Sequence, residues 1–210
     1  MRRYDGAFGE AAKQVQRAAT KTVNDFSAGT LPDEHNFTSS FITRIHDYLE
    51  GFAKDGIAWR ARILSPRHEE KEFGADFLVG LRLKLPDYSV AKGFLAQAKR
   101  QEPGKPLSPS HWSQLVRQCS RMLEHSTESF VFVYARNGVL VVPALGVIAC
   151  VGHQDLHMLH AWNIRDFYRH HLECWVGQSL DPGTCPPPWM TADIPALNGI
   201  EITGTAEGEY

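Results

Sequence analysis

A chain of 210 residues, 43% of them hydrophobic, is long enough to bury one sizeable core, and its length favours one domain over two. A formal net charge of -2 and a pI near 6.5 argue against the domain-wide basic character of many nucleic-acid binders, so a polyanion would have to meet local positive charge. No stretch approaches the roughly 18 apolar residues of a membrane span, and no apolar signal core follows Met1-Arg2-Arg3-Tyr4-Asp5, which points to a soluble, unprocessed protein. Cys119, Cys150, Cys174 and Cys185 are sparse and come without a secretion signal, as expected of reduced thiols in a cytoplasm.

Residues 7 to 26 place Ala11, Ala12, Val15, Ala18, Ala19 and Val23 at helical spacing, with Lys13, Arg17 and Lys21 on another face. After Gly29-Thr30-Leu31-Pro32 a second helix starts near Asp33; Phe37, Phe41, Ile45, Tyr48 and Phe52 mark its buried stripe, and Glu34 falls on that stripe. Residues 56 to 64 alternate as a half-buried strand, with Ile57, Trp59, Ala61 and Ile63 on one side and Arg60 and Arg62 on the other. A charged loop, Arg67 to Glu72, precedes two strand-like runs, Ala75 to Lys84 and Ser89 to Lys99, joined as a hairpin through Leu85-Pro86-Asp87-Tyr88. Ser110 can cap a helix with Trp112, Leu115, Val116, Cys119, Met122 and Leu123 on its apolar face. Phe130 to Ala135 reads as a strand buried on both faces, turned by Asn137-Gly138 into Val139 to Val142. A last helix is expected over residues 164 to 176. Residues 181 to 210, opening Asp181-Pro182-Gly183 and containing Pro186-Pro187-Pro188, read as a loosely packed tail. The reading is α/β, with one domain over 1–180, a helical segment over 1–28 at its start, and the tail.

The hairpin carries the chemistry. A turn centred between Pro86 and Asp87 sets Gly80 opposite Gly93 and Asp76 opposite Gln97. Lys99, two residues beyond Gln97, shares its face, so three polar groups converge at the hairpin mouth. Phosphodiester hydrolysis needs hard oxygen ligands for a divalent cation and a positive group or base beside the attacking water, roles that Asp76, Gln97 and Lys99 suit. A carboxylate on the apolar stripe of a helix, as Glu34 is, also calls for a cation or a donor to offset its desolvation.

Gly74-Ala75-Asp76-Phe77 followed by Gln97-Ala98-Lys99 resembles the PD-(D/E)XK nuclease superfamily, and within it the Mrr-like branch in which Gln replaces the second acidic residue. The resemblance spans roughly residues 30 to 145 and extends more softly to Gln114 and Gln118. It implies a restriction-endonuclease-like fold, a mixed central β-sheet flanked by α-helices. It also implies a metal-dependent endonuclease acting on DNA, double-stranded by preference, with Mg²⁺ or Mn²⁺ as cofactor. Asp76 would be the principal metal ligand, Gln97 and the Ala98 carbonyl further ligands, and Lys99 the group that orients or activates water. Glu34 matches the superfamily's helical acidic residue and would assist catalysis as a further metal ligand. Nucleases of this kind often serve bacterial anti-phage defence. So short a chain implies a homo-oligomer, or a partner protein that supplies specificity or activation.

Other readings stand beside this one. Lys13, Arg17, Lys21, Arg60, Arg62 and Arg100 are candidate nucleic-acid contacts, although rows of basic residues are commonly just solvated faces. Glu69, Glu70 or Glu72 could replace the charge absent at Gln97, Glu72 being the first to test. His153, His157, His160, His170, His171, Cys174 and Cys185 lack the regular spacing of a zinc site. The main rival is a non-catalytic nucleic-acid-binding or assembly subunit, in which the neutral Gln97 reflects loss of metal affinity, although an intact Lys99 argues against it. A ribonuclease or a structure-selective nuclease is a further alternative, since a fold does not encode the polymer it cuts.

Overall fold

Small apolar residues at helical spacing set the first contact of the chain. In the computed structural model, which describes residues 4–31, 33–64, 74–150, 152, 154–180 and 196–207, helix α1 spans Asp5–Ser27 and buries Ala7, Ala11, Ala12, Ala18 and Ala19 together with Phe8, Val15 and Val23. Those alanines allow close packing against helix α2, Glu34–Leu49, and Arg44 of α2 bonds Thr22 and Asp25 of α1. Asp33 caps α2 by accepting the Asn36 N–H at 2.8 Å, and that bond holds its carboxyl below the usual range.

The strands are β1 (Ala53–Lys54), β2 (Ile57–Leu64), β3 (Ala75–Leu85), β4 (Tyr88–Arg100), β5 (Ser129–Ala135), β6 (Gly138–Pro143), β7 (Trp162–Asn163), β8 (Gln178–Leu180) and β9 (Ala196–Ala206). They form one mixed sheet in the order β1-β2-β9-β3-β4-β5-β6-β7, with β8 pairing β4 beside β5. The β3–β4 hairpin has the expected register, Gly80 opposite Gly93. Helices α1, α2 and α5 (Ile164–Leu172) cover the face carrying Phe77, Val79, Phe94, Phe132 and Tyr134. Helices α3 (Pro109–His125) and α4 (Ala144–Ala149) cover the opposite face, with Leu78, Leu95, Val131 and Val133. Alternation along each strand divides its side chains between these two cores. No helix among the described residues is long and apolar enough to cross a membrane.

The structure corrects several expectations. Residues 196–206 are not loose tail: β9 lies between β2, antiparallel, and β3, parallel, and buries Ile200 and Ile202. The strand fits because Gly204 has no side chain; a Cβ there would lie 2.8 Å from Leu83 and 3.0 Å from Trp59. The cap of α3 is Ser108, which accepts the His111 N–H, with Pro109 in the first turn, rather than Ser110. Helix α5 stops at Leu172, where the chain turns through Cys174 at φ 66°. Ile63 is 45% exposed near the end of β2 instead of buried. The charged loop 67–72, the Pro-rich run 181–195, His153 and Cys185 lie outside the described residues.

Candidate active site

Packing one turn into α2 positions its first residue. Phe37 stacks on Tyr134 of β5 with ring centroids 3.8 Å apart, and the Thr38 hydroxyl lies 3.4 Å from the Tyr134 hydroxyl. Burial raises the Tyr134 pKa far above the phenol range, and the nearby charges of Asp76 and Glu34 push the same way. Anchored in this way, α2 presents Glu34 to the end of β4. One Glu34 oxygen accepts the Arg100 backbone N–H at 2.7 Å and the other accepts from Lys99 Nζ at 3.3 Å.

On the other side, β3 starts against α3 at Gly74. A Cβ on Gly74 would lie 2.5 Å from the Gln118 carbonyl oxygen, and its φ of +71° is one that glycine adopts without strain, so this residue permits the close approach. Two residues later, Asp76 Oδ2 accepts the Ala98 N–H at 2.7 Å and a bond from Gln97 Nε2. The same Nε2 also donates to the Ala98 carbonyl at 3.2 Å. Gln97 is 3% exposed, and its Oε1 is buried without a hydrogen-bond partner.

Glu34, Asp76, Gln97 and Lys99 line one cavity of about 170 Å³, joined by His35 and Thr38 of α2, Gln114 and Gln118 of α3, and Asn198 of β9. Three of these side chains end in buried atoms without a partner: Gln97 Oε1, Gln118 Oε1 and Asn198 Nδ2. Buried polar atoms are normally satisfied, and each exception costs about 1–3 kcal/mol. Three of the seven such atoms among the described residues therefore belong to the lining of this one cavity.

The residues fit a hard divalent cation. Gln97 Nε2 lies between a carboxylate oxygen and a main-chain carbonyl, so two acceptors converge on one point. The amide nitrogen and oxygen have nearly the same shape, and turning the amide over would bring Oε1 to that point. Asp76, the Ala98 carbonyl and Gln97 then supply the all-oxygen ligands that Mg²⁺ or Mn²⁺ takes. No group of three or more His, Cys, Asp or Glu side chains that could hold a metal comes together among the described residues, so a cation bound here would have to take its further ligands from the Gln97 amide and the Ala98 main chain.

The basic candidates divide. Lys13, Arg17 and Lys21 surround a separate cavity of about 420 Å³ with Tyr48. Arg62 pairs with Glu201 at 2.7 Å and Arg60 with Glu50 at 3.5 Å; neither lines the 170 Å³ cavity. Arg100 leads directly from Lys99, its guanidinium 4.6 Å above the Phe26 ring, into a neighbouring cavity of about 450 Å³ shared with Glu102, Lys105 and Arg136. Lys105 and Arg136 escape sequence reasoning because they lie in loops without periodicity, and Asn198 because its strand reads as tail. Of the histidines, His157 bonds the Gln101 carbonyl at 2.8 Å, and His171 is buried against Phe94 and Tyr168.

Comparison with protein-family models, with curated proteins and with solved structures finds no match to this chain.

Proposed function

We propose that the chain is a metal-dependent nuclease of the restriction-endonuclease-like kind, hydrolysing DNA phosphodiester bonds at the Asp76–Gln97–Lys99 cavity. The observation that carries this reading is the Gln97 amide, whose donor bridges two oxygens while its own oxygen is buried and unmatched. Bound there, Mg²⁺ or Mn²⁺ would neutralise charge on the phosphate and lower the pKa of an attacking water. Asp76 supplies the one full negative charge of that ligand set, with Gln97 and Ala98 adding neutral oxygens. Lys99, paired with Glu34, acts as a fixed cation that orients water and offsets charge developing on the phosphate. Glu34 sets the direction of Lys99 and also ties down the Arg100 main chain. Arg100, Lys105 and Arg136 provide the local positive charge that an acidic protein needs to hold a polyanion. Double-stranded DNA is the favoured substrate, a cytoplasm the setting, and an anti-phage or restriction system the role. A second copy or a partner protein would supply specificity or activation.

One observation favours a second reading, a nucleic-acid-binding subunit without catalysis: Gln97 brings no charge where a second carboxylate would strengthen metal binding. Cleavage of plasmid and linear DNA by wild type, Asp76→Ala and Lys99→Ala in Mg²⁺, Mn²⁺ and EDTA separates the two. Metal-dependent cutting that both substitutions abolish supports the nuclease. An inactive wild type that binds DNA and no metal supports the subunit.

A further inference from the structure

Asn198 enters the cavity from a direction that the hairpin does not supply. Strand β9 lies between β2 and β3, and its register sets Asn198 opposite Phe77, the neighbour of Asp76. One end of the Asn198 amide is held: Oδ1 accepts from the Ser39 hydroxyl of α2 at 3.3 Å. The other end, Nδ2, is buried and without a partner, and the side chain lines the same cavity as Asp76, Gln97 and Lys99.

The cavity groups sort by the charge they attract. Asp76, the Ala98 carbonyl and the Gln97 amide gather oxygens for a cation. Lys99 Nζ and Asn198 Nδ2 are donors only, and donors suit an anionic oxygen. A buried N–H₂ group on a residue lining such a cavity is matched by an oxygen of high charge density, and a phosphate has two of these on its non-bridging positions. The Ser39 hydroxyl holds the amide by its oxygen end, which leaves the N–H₂ end for another partner.

We propose that Asn198 hydrogen-bonds a non-bridging oxygen of the phosphate under attack, with Ser39 as its positioning residue, so that β9 completes the active site. This rests on the nuclease reading. Three full-length variants test it: Asn198→Ala, Asn198→Asp, which keeps the size and the acceptor for Ser39 but replaces the donor, and Ser39→Ala, which leaves β9 untouched. Each is assayed for Mg²⁺-dependent cleavage of a duplex oligonucleotide, for binding of the same duplex in Ca²⁺ by fluorescence anisotropy, and for thermal melting. The expected result is a kcat about 100-fold lower in Asn198→Ala and lower still in Asn198→Asp, with a several-fold loss in Ser39→Ala. KM and the melting temperature should stay near wild type. Wild-type kcat in both Asn198 variants would overturn the role of Asn198 and leave the nuclease reading intact. A wild type that neither cuts nor binds the duplex would overturn both.

Discussion

Two of the polar side chains on strand β9, Glu201 and Asn198, stand in opposite conditions. Glu201 accepts from Arg62 and from Arg82, each at 2.7 Å, so both its oxygens are matched. Asn198, three residues earlier, has a buried donor with no partner, and its side chain lines one cavity together with Gln97 and Gln118, each of which has a buried oxygen with no partner. The first cluster is closed on itself and ties β2 and β3 to β9 across the sheet. The second is incomplete, and incompleteness in a buried polar group is destabilising unless a guest relieves it. The contrast is the physical basis for proposing a function for the second cluster and a structural role for the first.

The largest expected effect comes from removing the charge of the open cluster. Asp76→Asn should lower Mg²⁺-dependent cleavage by at least about 10³-fold while leaving the fold intact, since Asn can still accept the Ala98 N–H. Residual activity near wild type would break the comparison. Next is the glycine that brings β3 against α3. Gly74→Ala forces a left-handed φ and a clash with the Gln118 carbonyl, and denaturant melts should show a loss of about 3 kcal/mol.

His171 sharpens the contrast from another side, because its Nε2 is also unmatched but faces apolar core instead of a cavity. Burial pushes its pKa down to about 4. A folded pKa below the unfolded value means that the unfolded chain takes up the proton first as pH falls. This contribution to stability should therefore be flat above pH 6.5 and fall by on the order of 3 kcal/mol toward pH 4. Urea melts across that range should show the slope, and His171→Gln, which does not titrate, should reduce it. Smaller again, Lys105→Ala and Arg136→Ala should each weaken DNA binding a few-fold and reduce the salt dependence by about one counterion. The smallest effect belongs to the closed cluster. Arg62 is 72% exposed, so solvent screens its bond to Glu201, and Arg62→Ala should cost about 0.5–1 kcal/mol with cleavage unchanged.

Much of the site was legible before any coordinates because the hairpin obeys short-range rules. The Pro86-Asp87 turn and strict alternation dictate that Asp76 and Gln97 meet and that Lys99 lies beside them, and the capped start of α2 makes Glu34 the first residue of a buried helix. Asn198 was not legible, because β9 owes its place to long-range packing. Gly199 and Gly204 are what admit the strand between the side chains of its neighbours, yet in sequence, after a Pro-rich run, they look like loop. The same applies to the division of the basic residues. Spacing can gather Lys13, Arg17 and Lys21 on one face, but only folding reveals that Arg62 is already matched by Glu201 and that Arg100 shares a cavity with Lys105 and Arg136.

The central proposal is that Asp76, the Ala98 carbonyl and the Gln97 side-chain oxygen would hold a divalent cation. Titration with Mn²⁺ followed by electron paramagnetic resonance tests it directly, with wild type, Asp76→Asn and Glu201→Gln measured side by side. The account predicts saturable binding in wild type, retained in Glu201→Gln and lost in Asp76→Asn. Absence of binding in wild type, or binding that ignores Asp76, would contradict it.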